Sequence, residues 1–463
     1  MAPTAIHNTT GNVAEDVRPK KAVATAPAQD DAVKTVLTAA IKRFEEANPV
    51  SKKQHEIAAG TLPGGNTRTL LYTPPFPLCM KSGKGAHVWD EDGHKYVDFV
   101  GELTAGIYGH SHPVIREAVV STFDNVGLSL GSTTIQEHKH AELICSRFGL
   151  ERIRFANTGT EANLHALNGV KAFTGRRKVL VFAGGYHGAV LSFGNGKVAP
   201  NNVDRDDWVI GKYNNVELAK SLIEETADLA AVLVEGMQGS SGCIPATKEF
   251  LHTIQESTKK VGAMFLLDEV MTSRIHPGGI QRMLGLKPDI TIFGKYLGGG
   301  FPFGAFGGRA DVMAVYDPRV PGALTHSGTF NNNTMTMHAG YAGLSEVYTD
   351  EVNAAFNAKG DALRKKLNEV SRGTKMSFTG VGAIFSSHIL DSGVENIRSV
   401  EDLQERWDLK DLFWFEMMED GYWITRRGMI ALILVTPDEE LDRFVECVAR
   451  FLQRHKDIMA VQV

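Results

Sequence analysis

The sequence is poor in cysteine, and it lacks both a long apolar run and an excess of positive charge. Its four cysteines, at positions 79, 145, 243 and 447, form no C-x-x-C pair. This spacing excludes a disulfide scaffold and a zinc ribbon, and it indicates a reducing compartment. No segment approaches the roughly 18–20 apolar residues that cross a bilayer. The formal net charge of −5 offers no basic surface to nucleic acid or anionic lipid, so we expect neither as a partner.

A metal-binding pattern is also missing. The chain has 16 histidines but neither an H-E-x-x-H motif nor a Cys/His cluster, and we therefore expect no metal site.

The hydrophobic content of 43% and the charged content of 22% over 463 residues are ordinary values for a globular protein. A chain of this length forms either one large core or about two to four domains.

The N-terminal segment gives no secretory signal. Residues 1–30 are rich in Ala, Thr, Pro and Asn and contain no apolar stretch of the kind that signal peptides need. Arg18 and two nearby lysines keep mitochondrial import open, whereas Glu15 and Asp16 argue against it. We expect a disordered tail over residues 1–30 and a cytoplasmic location.

In the middle of the chain, short apolar runs alternate with helical stretches. This alternation predicts an α/β fold with a mainly parallel sheet. We expect a large domain over residues 101–344 and a smaller α/β domain built from residues 31–100 and 345–463. The predicted strands are 86–100 (a hairpin with an Asp-Gly turn), 152–156, 178–182, 230–234, 264–267, 290–293 and 430–435.

Polar residues follow the predicted strands at the point where each strand ends. Glu235, Asp268 and Lys295 each come directly after, or one residue after, an apolar run, and small or aromatic residues follow two further strands at 157–160 and 184–187. The carboxyl ends of parallel strands share one edge of the sheet, where α/β proteins bind their ligands. The sequence therefore predicts a ligand site at this edge.

Lys295 and Asp268 together indicate a catalytic site more strongly than either residue does alone. A lysine after a strand is usually a solvated charge, and an aspartate there often caps the next helix. In a partly desolvated crevice, however, a lysine amine has a lowered pKa and attacks carbonyl carbons. A carboxylate facing a protonated ring nitrogen keeps a pyridinium ring charged, which makes the ring an electron sink.

Two further stretches fit a phosphorylated aromatic ligand. Thr158, Gly159 and Thr160 precede a helical segment, and small residues at a helix N-terminus expose N–H groups to a phosphate; an ordinary helix cap is the alternative. Tyr186 or His187 has a flat ring that could stack on the ligand, although core packing explains such residues equally well. Together these residues describe a pocket for a phosphorylated aromatic aldehyde.

These residues resemble the class III aminotransferases, which have the fold of type I pyridoxal-phosphate (PLP) enzymes. The resemblance runs from about Asn48 to near the C-terminus. It implies PLP as cofactor, a mainly parallel seven-stranded sheet between helices, and a homodimer. The matching stretches are residues 157–163 (NTGTEAN), 184–188 (GGYHG), 266–270 (LLDEV), 294–300 (GKYLGGG) and 325–331 (THSGTFN).

The resemblance also assigns roles to single residues. It implies that Lys295 forms the Schiff base with PLP and that Asp268 partners the pyridine nitrogen, so these two are the expected catalytic residues. Thr329 is expected to reach the phosphate of the neighbouring subunit. The other expected cofactor contacts are Thr158, Gly159, Thr160, Tyr186, His187, Glu235 and Val270.

Two branches of the family match best. Glutamate-1-semialdehyde aminomutases are similar at residues 63–65 and 109–113 but differ at 234–239. The β-phenylalanine aminotransferases are the closer match. Within that branch Arg68 corresponds to the arginine that binds the β-amino acid's carboxylate and Arg427 to one near the keto acid's carboxylate, with Arg426 as a rival for the second role. The stretches shared with the β-phenylalanine enzymes are 44–49, 72–77, 269–274 and 327–333.

The hypothesis is a ping-pong transfer of an amino group from a β-phenylalanine-like donor to a 2-keto acid such as 2-oxoglutarate or pyruvate. A mutase that keeps donor and acceptor in one molecule and an amine or ω-transaminase with another donor are alternatives. A non-catalytic binding module would not need both Lys295 and Asp268. The glycines at 298–300 and 184–185 suggest a dinucleotide-binding protein, but no G-x-G-x-x-G opens a helix after a first strand.

Overall fold

The fold is described from a computed structural model that covers residues 27–393 and 396–461. Most of the predicted tail, up to position 26, lies outside the described residues, and the first helix begins at Pro27. The helices are α1 (Pro27–Ala47), α2 (Pro49–Ala58), α3 (Pro113–Asn125), α4 (Ile135–Phe148), α5 (Gly159–Thr174), α6 (Val216–Glu225), α7 (Lys248–Val261), α8 (Gly279–Leu284), α9 (Ala310–Met313), α10 (Thr334–Ala342), α11 (Asp350–Val370), α12 (Trp407–Glu419), α13 (Asp438–Arg454) and α14 (Lys456–Met459). The strands are β1 (Met80–Lys84), β2 (His87–Asp90), β3 (Lys95–Asp98), β4 (Arg152–Ala156), β5 (Lys178–Phe182), β6 (Trp208–Gly211), β7 (Leu229–Glu235), β8 (Met237–Gln238), β9 (Ile244–Pro245), β10 (Met264–Asp268), β11 (Ile290–Gly294), β12 (Gly304–Gly308), β13 (Met376–Val381), β14 (Ile384–Ile389), β15 (Tyr422–Trp423) and β16 (Met429–Ala431).

The largest sheet has seven strands in the order β4-β12-β11-β10-β7-β5-β6. Only β12 runs antiparallel to its neighbours, β11 and β4. The predicted mainly parallel seven-stranded sheet is therefore confirmed. The strands predicted from the sequence included neither β6 nor β12. Three of the five residues of β12 are glycine, which has low strand propensity.

The central strands are buried on both faces. Every residue of β7, β10 and β11 is buried, which explains why these segments read as continuous apolar runs rather than alternating ones. On one face, Ala166 and Val170 of α5 belong to the same apolar cluster as Leu266. On the other, Phe250 of α7 lies in a cluster with Phe265. Helices on both faces thus hold the sheet, and its carboxyl edge stays open for ligand binding.

The two ends of the chain meet in a smaller sheet. The order β1-β2-β3-β15 places Tyr422 beside Val97 in a parallel pair. The predicted hairpin is present as β2 and β3, and Asp92 in its turn accepts hydrogen bonds from the backbone of Val50 and Ser51 at the start of α2. The bounds of the two domains stay predictions.

The strand predicted over residues 430–435 is wrong for most of its length. Only Met429–Ala431 forms a strand, β16, which pairs with β14. Beyond it the backbone leaves the ladder: Leu432 donates to the carbonyl of Ala383 and Leu434 to that of Ile107. The segment is apolar because it is buried between two parts of the fold, and burial alone does not make a strand.

Three features that bear on partners can be checked in the described part of the chain. The four cysteines are free thiols, as a reducing compartment allows, while the cytoplasmic location stays a prediction. None of the described helices is both long and apolar enough to cross a bilayer. The described residues contain no group of three or more His, Cys, Asp or Glu side chains arranged to hold a metal ion.

Substitution of Gly308 in β12 should destabilise the protein. A Cβ atom there would lie 2.1 Å from the backbone oxygen of Asp289, and backbone atoms of a central sheet cannot move away cheaply. We expect Gly308→Ala to lower the free energy of unfolding by about 1–3 kcal/mol, measured by urea denaturation. Gly194→Ala is the control, because a Cβ at Gly194 meets nothing within 4 Å; equal loss in both variants would contradict the packing argument.

Candidate active site at the carboxyl edge of the large sheet

Three neighbouring strands deliver charged side chains to one edge of the sheet. Asp268 ends β10 and lies beside Glu235, which ends β7. Lys295 follows β11, the strand on the other side of β10. The loops after β4 and β5 open on the same edge, because those strands run parallel to the central three. The predicted convergence of strand ends is therefore present.

Lys295 lies at a strained backbone position in a desolvated setting. Its φ of +60° is uncommon for a residue with a side chain and is found at functional sites more often than elsewhere. Burial and the positive charge of Arg427 lower the pKa of Lys295 to about 8, although the carboxylates of Glu102 and Asp268 act in the opposite direction. The neutral amine, the form that a nucleophile requires, is therefore far more populated near physiological pH than in an ordinary lysine.

The carboxylate of Asp268 is buried and held from three directions. Its Oδ2 accepts hydrogen bonds from Nδ2 of Asn163 at 2.9 Å and from Nδ1 of His187 at 2.8 Å. Its Oδ1 accepts one from the backbone N–H of Val270 at 3.0 Å. A carboxylate oxygen can accept two hydrogen bonds, so Oδ1 keeps capacity for a further donor.

The two glutamates at this edge have different partners. Glu235 accepts hydrogen bonds from the backbone N–H of Tyr186 at 2.9 Å and of Gly239 at 3.2 Å, and burial raises its pKa to about 7. It therefore fixes the loop that carries the Tyr186 ring. Glu269 is buried and accepts from the backbone N–H groups of Ile280 and Gln281 at the start of α8. Its contacts are structural.

The N-terminus of α5 forms a cradle of small residues. Thr158 caps the helix by accepting from the backbone N–H of Glu161 at 3.1 Å, which leaves the N–H groups of Gly159 and Thr160 without an acceptor inside the helix. A Cβ at Gly188 would lie 2.4 Å from Oγ1 of Thr160, and one at Gly159 would lie 3.1 Å from a methyl group of Val270. The approach at Gly188 requires glycine, and the one at Gly159 leaves little room for a side chain. The free amides of this helix N-terminus are what a phosphate needs.

The two aromatic candidates after β5 have different environments. His187 is buried, and its ring nitrogen is bound to Asp268. Tyr186 keeps 38% of its surface exposed, so its ring can stack on a ligand. His187 thus orients the carboxylate, and Tyr186 is the ring available for stacking.

Three arginines lie around the site, and each has a different partner. Nε of Arg426 is 2.6 Å from Oδ1 of Asp411, so Arg426 is held in a structural ion pair. Arg427 makes only long contacts, with Ser240 Oγ at 3.4 Å and the sulfur of Met429 at 3.6 Å. In the described part of the chain no carboxylate lies within ion-pair distance of Arg427, and burial lowers its pKa.

Arg68 and Thr329 lie in exposed segments. The guanidinium of Arg68 forms an ion pair with Glu102, a residue that the sequence analysis did not identify. Thr329 is exposed in the loop before α10, and that loop is tied to the start of α5 by a 2.9 Å hydrogen bond between Asn157 and Asn331. The sequence analysis also missed Asn163, which donates to Asp268. Its position four residues after Gly159 places both residues on the same face of α5, and this spacing was the available signal.

The chain matches a known family over most of its length. The family model for class-III aminotransferases matches residues 72–452. The chain belongs to the class III aminotransferases. The resemblance inferred from the motifs is therefore confirmed, and this protein is a transaminase of the PLP-dependent type.

Similar proteins cover nearly the whole chain. The β-phenylalanine transaminase of Variovorax paradoxus is 46% identical over 429 residues, 92% of this chain and 97% of that protein. An uncharacterised aminotransferase of Schizosaccharomyces pombe is 50% identical over 90% of this chain and 95% of its own length. A glutamate-1-semialdehyde 2,1-aminomutase of Alkaliphilus metalliredigens is 34% identical over 75% of this chain and 83% of its own.

Solved structures of similar proteins also cover most of the chain. The crystal structure of the Variovorax paradoxus β-phenylalanine aminotransferase has a TM-score of 0.90 and 45% identity, covering 93% of this chain and all of that one. An ω-transaminase of Sphaerobacter thermophilus has a TM-score of 0.83 and 34% identity, covering 88% of this chain and 98% of its own.

The residues at the sheet edge fit PLP. The free amides at the start of α5 suit a phosphate, and Gly188 lies too close to Thr160 there to carry a side chain. The buried Asp268 carboxylate suits a protonated ring nitrogen, and the exposed ring of Tyr186 suits a flat ligand. The Lys295 amine, with its lowered pKa, suits the aldehyde of PLP.

The reactivity of Lys295 should follow its lowered pKa. In the cofactor-free protein we expect acetylation of Lys295 by acetic anhydride to rise with pH around a midpoint near 8, because only the neutral amine reacts. Arg427→Met should move that midpoint upward by removing a nearby positive charge. Peptide mass spectrometry after labelling at graded pH measures both, and a midpoint that is near 10 in wild type and unmoved in the variant would contradict the electrostatic assignment.

Proposed function

We propose that this protein transfers the amino group of a β-phenylalanine-like β-amino acid to a 2-keto acid such as 2-oxoglutarate or pyruvate. The observation that carries the proposal is the Arg427 guanidinium, which lies close enough to Lys295 to lower its pKa and has no carboxylate partner among the described residues. A desolvated cation without a counter-ion is costly. A substrate carboxylate would supply the missing charge.

A second arginine, Arg68, would bind the carboxylate of the other substrate. Arg68 lies on the glycine-rich loop and, like Arg427, lowers the pKa of Lys295. Guanidinium groups bind carboxylates through two parallel hydrogen bonds. We assign Arg68 to the carboxylate of the donor and Arg427 to that of the keto acid. The similarity to the β-phenylalanine transaminase of Variovorax paradoxus supports this donor class.

The chain's own residues would divide the work as follows. When bound, PLP supplies an aldehyde carbon for covalent attachment of amines and a ring that stabilises carbanions. The amides of Gly159 and Thr160 would hold the phosphate, and Tyr186 and Val270 would contact the ring of the cofactor. The Asp268 carboxylate would keep the ring nitrogen protonated. Lys295 Nζ would accept the proton that the substrate carbon loses and hold it for its return.

A homodimer with shared sites is the proposed assembly. Apolar side chains are exposed on the segment around residues 123–135 and on the loop before α10. Hydrogen bonds from Asn332 to Ser132 and from Thr334 to Gly127 join these two segments into one surface. Large exposed apolar patches are typical of protein interfaces, and Thr329 lies on this one, where it could reach a partner's phosphate. The exposed residues are Phe123 (62%), Leu128 (51%), Leu130 (52%), Ile135 (79%) and Phe330 (58%).

Steady-state kinetics test the function. Consumption of β-phenylalanine should require an added keto acid and yield one amino acid product per donor consumed, whereas a mutase of the glutamate-1-semialdehyde type needs no acceptor. An ω-transaminase would use amines that lack a carboxylate equally well. Turnover that is independent of keto acid would exclude the proposed reaction.

The two arginines should affect different substrates. We expect Arg68→Gln to raise KM for the donor, and Arg427→Gln to raise KM for the keto acid, each by about 10- to 100-fold, since each variant loses charge-assisted hydrogen bonds to one carboxylate. Arg372→Gln, at an exposed turn, serves as control. If both variants raised both KM values equally, the assignment of one arginine to each carboxylate would be wrong.

The dimer is tested by its mass in solution. Sedimentation should give twice the chain mass of 50.5 kDa. Charges placed on the exposed patch by Ile135→Glu with Phe330→Glu should shift the protein towards monomers, because burying unpaired carboxylates is costly. Val370→Glu at the end of α11 is the control, and a monomeric wild-type protein would contradict the proposal.

A further inference from the structure

Arg68 forms an ion pair with Glu102, a residue outside the expected set of site residues. The guanidinium of Arg68 binds the carboxylate of Glu102, and about half of each side chain is exposed, 50% and 56%. Both charges act on the Lys295 amine: Glu102 raises its pKa, and Arg68 lowers it. The arginine assigned to the donor's carboxylate therefore already holds a carboxylate of the chain itself.

The backbone that carries Glu102 is strained. Four consecutive residues have positive φ angles: Gly101 (+50°), Glu102 (+47°), Leu103 (+51°) and Thr104 (+83°). Residues with side chains visit this region singly and rarely form runs in it. A strained run persists only where the surrounding structure holds it, and such runs cluster at functional sites.

The surroundings of this run do hold it. Oδ1 of Asp98 accepts hydrogen bonds from the backbone N–H groups of Val100 at 2.8 Å and of Gly101 at 3.0 Å. At the other end, the fully buried Arg274 donates to the carbonyl of Thr104 at 3.1 Å. A Cβ at Gly101 would lie 2.5 Å from the carbonyl oxygen of Ala431. The direction in which Glu102 leaves the backbone is thus fixed by the fold.

We infer that Glu102 is a specificity-determining residue that competes with the donor's carboxylate for Arg68. This inference rests on the proposed function, because it takes Arg68 as the donor-binding arginine. When no donor is bound, Glu102 neutralises Arg68; when a donor enters, its carboxylate must displace Glu102 from the guanidinium or share the guanidinium with it. Glu102 thereby weakens the binding of every carboxylate at Arg68 and leaves ligands without a carboxylate unaffected.

Calorimetry on the protein with its cofactor bound tests the competition directly. The probe is 3-phenylpropionate, which has the carbon skeleton and carboxylate of β-phenylalanine but no amine to react. Removing the charge in Glu102→Gln should tighten binding by about two- to fivefold, the range expected for a half-exposed ion pair. Glu102→Asn, which tolerates the left-handed backbone better, should also tighten it. Glu419→Gln is the matched control, because Glu419 pairs with Arg43 at 2.8 Å with similar exposure.

Two further variants separate this inference from the proposed function. Arg68→Gln should weaken binding of the probe, and adding Glu102→Gln to it should give no gain, because the competition then has no target. Unchanged or weaker binding in both Glu102 variants, with weaker binding in Arg68→Gln, would overturn the inference but leave Arg68 as the donor arginine. Unchanged binding in Arg68→Gln would overturn the donor assignment itself, and the inference with it.

The kinetic signature of Glu102 follows from the same competition. In Glu102→Gln, KM for β-phenylalanine should fall while KM for 1-phenylethylamine, which has no carboxylate, stays as in wild type. A purely structural role for Glu102 predicts equal changes for both donors, which would also overturn the inference.

Discussion

The active site depends on one buried carboxylate, that of Asp268. Its carboxylate accepts hydrogen bonds from Asn163 in α5, from His187 in the loop after β5, and from the backbone N–H of Val270, two residues further along the chain. A buried carboxylate that loses these donors is strongly destabilising, so the helix, the loop and β10 must keep one relative arrangement. That arrangement also places the amides at the start of α5 at the same sheet edge as Lys295.

Charges of opposite sign near Asp268 have opposing effects on the pKa of Lys295. The positive charges of Arg427 and Arg68 lower the pKa of Lys295, and the negative charges of Asp268 and Glu102 raise it. Burial has the largest influence and favours the neutral amine. A substrate carboxylate that binds either arginine changes this balance, so substrate binding and the state of the lysine are coupled through ordinary electrostatics.

The sequence alone was sufficient for five of the seven strands of the central sheet and for the chemical groups at its edge. The five strands predicted in the large domain agree with the observed strands to within one residue at each end, because strands buried on both faces read as uninterrupted apolar runs. Lys295 and Asp268 could be identified because parallel strands bring their carboxyl ends together. The glycine-rich β12 and the four-residue β6 were not predicted, and the strand predicted over residues 430–435 was too long, since strand pairing depends on neighbours distant in the chain.

The roles of the remaining residues were decided by tertiary structure. Adjacent side chains in the sequence take opposite environments: Arg426 is locked to Asp411 while Arg427 faces the site, and His187 binds Asp268 while Tyr186 stays exposed. A sequence pattern cannot separate such neighbours, because the partner that decides between them lies far away along the chain. The sequence by itself determined which chemical groups reach the sheet edge. Only the packing of helices and loops against that edge decided which of these groups bind other residues of the chain and which remain available to a ligand.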